Sequence, residues 1–235
     1  MKLVVKMRLQ DLEIVNRYLE IFKIPVVPQI ADTEIEEKGV SEIVDTLFFL
    51  DMPYYALQLY MHSYSRDVLE RTLIIADELK IRYIAANIPL KMLKRELNSL
   101  FDLFSSYKNN LCIETAPGNV EKVKDALLDK IGGVLWVKIT PDALTSTREL
   151  KEALRSSMRL VKIIEAANFE EKGKKKIKIL KRGKINYYNV LRFLSREFYN
   201  DILLIPYDKS IYKIPQELIN EYNVLLQFCN SIYEE

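Results

Sequence analysis

The chain has 235 residues, with 35 basic side chains against 33 acidic ones, one histidine and two cysteines. At 49% hydrophobic and 29% charged it can fill a core, and its six glycines and eight prolines exclude collagenous or linker-dominated chains. No apolar run approaches the roughly 20 residues of a membrane span. The opening MKLVVKMRLQD turns polar too early for a signal peptide, so a reduced, cytoplasmic protein with no membrane partner is expected. A single histidine rules out HExxH metalloproteases and three-histidine zinc sites. Cys112 and Cys229 are too few for a zinc ribbon or a disulfide framework, and no glycine-rich nucleotide loop is present, so no nucleotide cofactor is expected.

Along the chain, short β-branched runs alternate with longer amphipathic ones. The strands expected are Leu3–Met7, Ile24–Ile30, Tyr55–Met61, Arg82–Asn87, Leu111–Thr115, Val134–Thr140, Leu160–Ala166 and Ile202–Tyr207. Helical spacing marks residues 66–80, 91–108, 119–132 and 185–198, and a last helix over Gln216–Tyr233. Ser65 and Asn119 stand at helix starts, Gly132-Gly133 closes the fifth helix, and Pro117, Pro141 and Pro206 fall at strand C-termini. Several strands are apolar on both faces, as in DILLIPYD. Eight strand–helix units with no linker between them predict one domain over 1–235, a single (β/α)8 TIM barrel.

The seventh interval is long and basic. Residues Lys172–Lys184 hold eight basic side chains and no acid, leaving 27 basic against 33 acidic groups elsewhere. Three readings fit this insertion after the seventh strand: a solvated loop, a flap for a substrate phosphate using Lys181, Arg182 and Lys184, or a nucleic-acid backbone contact. Ile177, Ile179 and Leu180 between the lysines suggest a β-ribbon.

Catalytic groups of such a barrel project from strand C-termini and the loops after them. Those positions hold His62, Asn87, Glu114, Lys138, Thr140, Asp142, Glu165 and Asp208. Glu114 caps the apolar strand LCIE, where a carboxylate needs a cation, a metal or convergent donors. It is either a functional acid or one half of a salt bridge with Lys138. His62 ends YYALQLYMH on the side shared by Gln58 and Tyr60, placed to be a ligand, a proton carrier or simply a hydrogen-bonded ring. Lys138 shares a face with Trp136 and Thr140; it is a nucleophile of lowered pKa or an acid's partner.

These strand ends resemble the xylose isomerase-like barrels, the superfamily of sugar-phosphate isomerases/epimerases and of the endonuclease IV branch. The similarity lies in Cys112-Ile113-Glu114-Thr115-Ala116-Pro117-Gly118, in Met61-His62-Ser63-Tyr64, and in the spacing from Tyr187 to Ile202–Asp208. The resemblance implies a sugar or sugar phosphate as partner, proton transfer next to a carbonyl with Glu114 as base, and a divalent cation (Mn, Mg or Zn). Only Glu114 matches the family's ligand set. Thr140 stands where an aspartate is expected, Glu165 sits near the histidine's place, and Asp142 and Asp208 lie just beyond two others. Glu114, Asp142, Glu165 and Asp208 are thus the candidate metal ligands, with Glu114, His62 and Lys138 catalytic. Asn87, Thr140, Lys181, Arg182 and Lys184 are the candidate substrate contacts. The alternatives are a non-catalytic barrel that has lost the metal site and acts as a binding or scaffold module, or an endonuclease IV-like nucleic-acid protein. The abundance of Ile, Lys, Glu and Tyr is compatible with a thermophilic source.

Overall fold

A computed structural model describes residues 1–127, 134–140 and 146–233. Its elements in chain order begin β1 Lys2–Arg8, α1 Leu9–Ile21, β2 Val26–Ala31, α2 Asp32–Phe49, β3 Ala56–Tyr60, α3 Arg66–Glu78 and β4 Tyr83–Ala86. They continue with α4 Leu90–Ser106, β5 Asn110–Thr115, a 3-10 turn Pro117–Asn119, α5 Val120–Leu127, β6 Val134–Lys138, α6 Thr147–Arg155 and β7 Val161–Glu165. A short pair, β8 Asn168–Phe169 and β9 Lys176–Ile177, precedes α7 Tyr187–Arg196, β10 Ile202–Pro206 and α8 Pro215–Tyr233.

The strands β1, β10, β7, β6, β5, β4, β3 and β2 close in that order into a parallel barrel, the (β/α)8 architecture the alternation predicts. Burial on both faces accounts for the continuous apolar runs: Leu3, Val4 and Val5 of β1 and Leu203, Leu204 and Ile205 of β10 are all buried. By density of contacts the chain forms two compact units. One comprises Met1–Val5, Thr115–Asp125 and Leu135–Glu235; the other comprises Lys6–Glu114 and Ala126–Val134.

Five strands end one or two residues before the sequence pattern does, so Asn87 and Thr140 stand in the loops that follow rather than on the strands, and His62 and Asp208 lie two residues past the ends of β3 and β10. Ser65 caps α3 as expected, its Oγ accepting from the Val68 amide at 3.4 Å. Asn119 closes the 3-10 turn just before α5. Asp142, Pro141 and Gly132-Gly133 lie outside the described residues. Being poor in glycine, the chain closes α1, α2, α3, α4 and α7 with Lys23, Asp51, Lys80, Lys108 and Phe198, each at positive φ between 44° and 58°. These positions favour glycine, and each non-glycine residue there carries backbone strain.

The basic insertion is pinned to its own half of the fold. β8 and β9 pair antiparallel, confirming a ribbon, and Ile177, Ile179 and Ile185 are buried with Phe169. Asn168, 1% exposed, is the clamp. Its Nδ2 lies 2.9–3.0 Å from the carbonyls of Ile179, Lys181 and Ile185, and its Oδ1 accepts from the amides of Phe169 and Ile185. Gly183 passes so close to this clamp that a Cβ there would meet the Phe169 carbonyl oxygen, with Ile177 Cδ1 at 2.7 Å and Asn168 Oδ1 at 2.8 Å. Gly183→Ala is therefore expected to destabilise the protein by about 1–3 kcal/mol through overpacking. Equilibrium urea unfolding checks this, and an unchanged midpoint would show that the clamp yields.

Candidate functional site

The first cluster is built on β3, β4 and β5. Parallel register aligns Gln58 with Ala85 and Ala85 with Cys112, so all three share one face, and period two carries that face on to Glu114. Because the intervening β4 position is only an alanine, Gln58 reaches across it and its Nε2 donates to Glu114 Oε1 at 2.5 Å. Gln58 is 3% exposed, and its own Oε1 is buried with no hydrogen-bond partner among the described residues. An acceptor left in that state is disfavoured by roughly 1–3 kcal/mol until a donor arrives. Beside it, burial and the neighbouring Glu114 push the Cys112 thiol strongly up, so that sulfur stays protonated.

His62 is placed by three elements. Asn87 accepts from the Met61 amide and donates to the Met61 carbonyl, both at 2.7 Å, which fixes the chain as it leaves β3. Asp32, the first residue of α2, accepts from the His62 amide and bonds His62 Nδ1, each at 2.6 Å. The Tyr60 ring meets the imidazole edge-on at 5.4 Å. With Nδ1 facing the carboxylate, Nε2 is the ring nitrogen left for other partners. The His62 side chain is 63% exposed and Asp32 only 10%. Burial pushes the Asp32 carboxyl up, but the bonds from His62 and from the Thr33 amide outweigh it and hold the acid below the ordinary carboxylate range. His62 lines a cavity of about 490 Å³ with Arg8, Gln29, Thr33, Glu34 and Tyr60.

The second cluster belongs to β6, β7 and β10. Register sets Lys138 beside Glu165 and Glu165 beside Leu204. Within β6 and β7 the register thus brings an acid, Glu165, alongside Lys138. Glu165 is 5% exposed, and its Oε2 accepts from the Trp136 indole at 3.1 Å. Lys138, Thr140, Glu165, Lys176, Asp208 and Tyr212 line a cavity of about 230 Å³, walled also by Ile177 and Ile179 of the insertion. Burial pushes the Asp208 carboxyl up, yet bonds from Ser210 and from Lys176 at 3.3 Å leave it lowered.

The insertion residues chosen from sequence fall elsewhere. Lys181 and Arg182 line a separate cavity of about 320 Å³ with Glu171, whose carboxylate holds Arg182 at 3.2 Å, while Lys184 is half-buried and its amide bonds the Phe169 carbonyl. Lys176 is the cation of the insertion that reaches Glu165's cavity. Among the described residues no group of three or more His, Cys, Asp or Glu side chains could hold a metal ion. Of the expected ligands Glu114, Asp142, Glu165 and Asp208, the three that are described do not form such a group, and Asp142 lies outside. Sequence reasoning missed Asp32 altogether and saw Gln58 only as a neighbour of His62. An acid opening a helix directly after a strand was the available signal for Asp32.

No family model and no curated protein matches the chain. Solved structures do. The chain is similar to a xylose isomerase domain protein from Planctomyces limnophilus, at 13% identity and a TM-score of 0.75 over 99% of this chain and 98% of that one. It is similar to the TTHB071 protein from Thermus thermophilus, solved after soaking with ZnCl2, at 13% identity and a TM-score of 0.63 over 96% and 98%. A xylose isomerase-like TIM barrel/4-hydroxyphenylpyruvate dioxygenase fusion protein matches at 13% identity and a TM-score of 0.59, over 87% of this chain and 38% of that one. The fold is therefore that of the xylose isomerase-like TIM barrels, across nearly the whole chain. Among the described residues no helix is long and apolar enough to cross a membrane.

The Asp32–His62 pair has a pH signature. A carboxyl held below its unfolded value stabilises the fold above that value and loses the contribution as pH falls through the folded one. Wild-type stability should therefore drop on acidification below about pH 4, where an ordinary aspartate titrates, by more than that of Asp32→Asn. Thermal melting from pH 6 to pH 2.5 checks this; parallel curves for the two proteins would contradict it.

Proposed function

We propose that this chain is a sugar or sugar-phosphate isomerase/epimerase-like protein in which Glu114 moves a proton at the carbon next to a carbonyl. The observation that carries the reading is the pair Gln58–Glu114, a carboxylate fixed by an amide whose own oxygen is buried and unsatisfied. A polyhydroxylated ligand supplies the missing hydroxyl donor. Its binding would bring a C–H bond to a carboxylate already oriented, the arrangement that proton abstraction needs.

In that reaction Glu114 takes the proton from carbon, the electron pair moves to the carbonyl oxygen to give an enediolate, and the adjacent hydroxyl passes its proton to that oxygen. Return of the proton to the neighbouring carbon isomerises the sugar; return to the opposite face of the same carbon epimerises it. His62, its tautomer set by Asp32, is a hydrogen-bonding and proton-relay group for a substrate hydroxyl through Nε2. Asn87 is a positioning residue, acting through Met61 on His62. Among the described residues no group of three or more His, Cys, Asp or Glu side chains could hold a divalent metal.

Incubation in D2O with a panel of aldoses, ketoses and their phosphates should incorporate deuterium next to the carbonyl with at least one member. Glu114→Gln should reduce that exchange by about 10²–10⁴-fold, the usual worth of a general base. Gln58→Leu should reduce it by a smaller factor. Lack of exchange by the wild type with every member, with and without added Mn²⁺ or Mg²⁺, overturns the reading.

A further inference from the structure

The facing sides of α6 and α7 enclose a cavity of about 280 Å³ that shares no lining residue with either cavity at the strand ends. Lys151 and Arg155, one turn apart on α6, face Arg192 and Arg196, one turn apart on α7, with Asn189 and Phe193 beside them. Glu197 is the single acid among these lining residues, and Arg155 holds it at 3.3 Å. Four cations thus surround one carboxylate.

One ordinary explanation accounts for part of this. Arg155 and Arg196 stand in the last turns of their helices, where a cation meets the negative end of the helix dipole. Lys151 and Arg192 stand before the last turn and gain little from it. Nor is the quartet a set of freely waving surface chains. Lys151 Nζ and the Arg155 guanidinium lie 6.0 and 5.3 Å from the centre of the buried Phe193 ring, and the Arg192 guanidinium lies 5.8 Å from that of Phe228. Rings that hold the cationic heads in place reduce the ordering that binding would require. The basic insertion is the opposite case: Lys175, Lys176, Lys178 and Arg182 each face an acid, Glu170, Asp208, Glu217 and Glu171 respectively.

We propose that the α6–α7 groove is a binding site for a compact, multiply charged phosphate anion of the di- or triphosphate class. Planar guanidinium forks match phosphate oxygens in pairs, and the Asn189 amide adds a neutral donor. The volume lies just below that of pockets for drug-sized ligands, roughly 300–1,000 Å³, and suits a short phosphate chain. A long nucleic acid would call for a basic stripe following its backbone, and these cations surround one cavity.

Calorimetric titration of the full chain with tripolyphosphate at low salt should show one site, weakening as salt is raised to 0.15 M. Arg192→Gln should weaken binding about tenfold, as expected for the loss of one charge-assisted contact. Arg192→Gln/Arg196→Gln should weaken it about a hundredfold. The control Lys172→Gln/Lys174→Gln, in the exposed insertion, should bind as the wild type does, and thermal melts should show all variants folded. Absence of binding at low salt overturns the proposal. So does an equal loss in the insertion control, which would mean general charge attraction, or a single-stranded oligonucleotide binding more tightly than tripolyphosphate at the same phosphate concentration.

Discussion

The carboxylate of Glu114 ends a strand whose Leu111, Cys112 and Ile113 are buried, and a charge at that place has to be met by donors. The amide of Gln58 supplies one of them from two strands away, across Ala85. A larger side chain at 85 would stand between them. The arrangement therefore depends on the register of three consecutive parallel strands and on the smallness of the middle residue. Since an amide is neutral, it orients Glu114 without cancelling its charge. The Gln58 oxygen is left without a donor among the described residues in the same stroke, as is the buried Oδ1 of Asn109.

Electrostatics divides the molecule differently from the way the sequence suggests. The densest basic run, Lys172–Lys184, is folded onto a ribbon by Asn168, and four of its cations face acids from the loop after β8, the loop after β10 and α8. Exposed pairs of this kind contribute little stability. Their effect is to quiet a surface that would otherwise attract any polyanion. The quartet of α6 and α7 comes from sequence-scattered residues that helical spacing brings to facing sides, with a single acid in answer. Local charge density along a chain and charge density in space are different quantities, and here they point to different places.

The barrel was legible because strand and helix periods alternate cleanly and because buried parallel strands have an unmistakable apolar run. Glu114 and His62 were legible for the same reason: strand ends are where such a barrel displays its chemistry. Partnerships were not. That Lys138 lies beside Glu165 follows from the β6–β7 register, with its irregularity between Leu135 and Trp136, and no pattern within one strand records it. Asp32 was hidden because its partner is thirty residues away and its own position reads simply as a helix start. Lys176 went unnoticed in a run of eight basic residues, although the ribbon it belongs to was visible in Ile177 and Ile179.

The single histidine shows how a lone residue can be made specific by backbone alone. Asn87 ties down the Met61 peptide, and that peptide carries the His62 amide to Asp32. The carboxylate then binds the backbone through Oδ2 and the ring through Oδ1, so the main-chain bond holds the acid where the ring nitrogen meets it. Its Nδ1 is held by Asp32, and the residue lines the 490 Å³ cavity, where Arg8 and Glu34 supply both signs of charge. An acid from α2, the tyrosine ending β3 and an asparagine from the loop after β4 thus converge on one imidazole orientation.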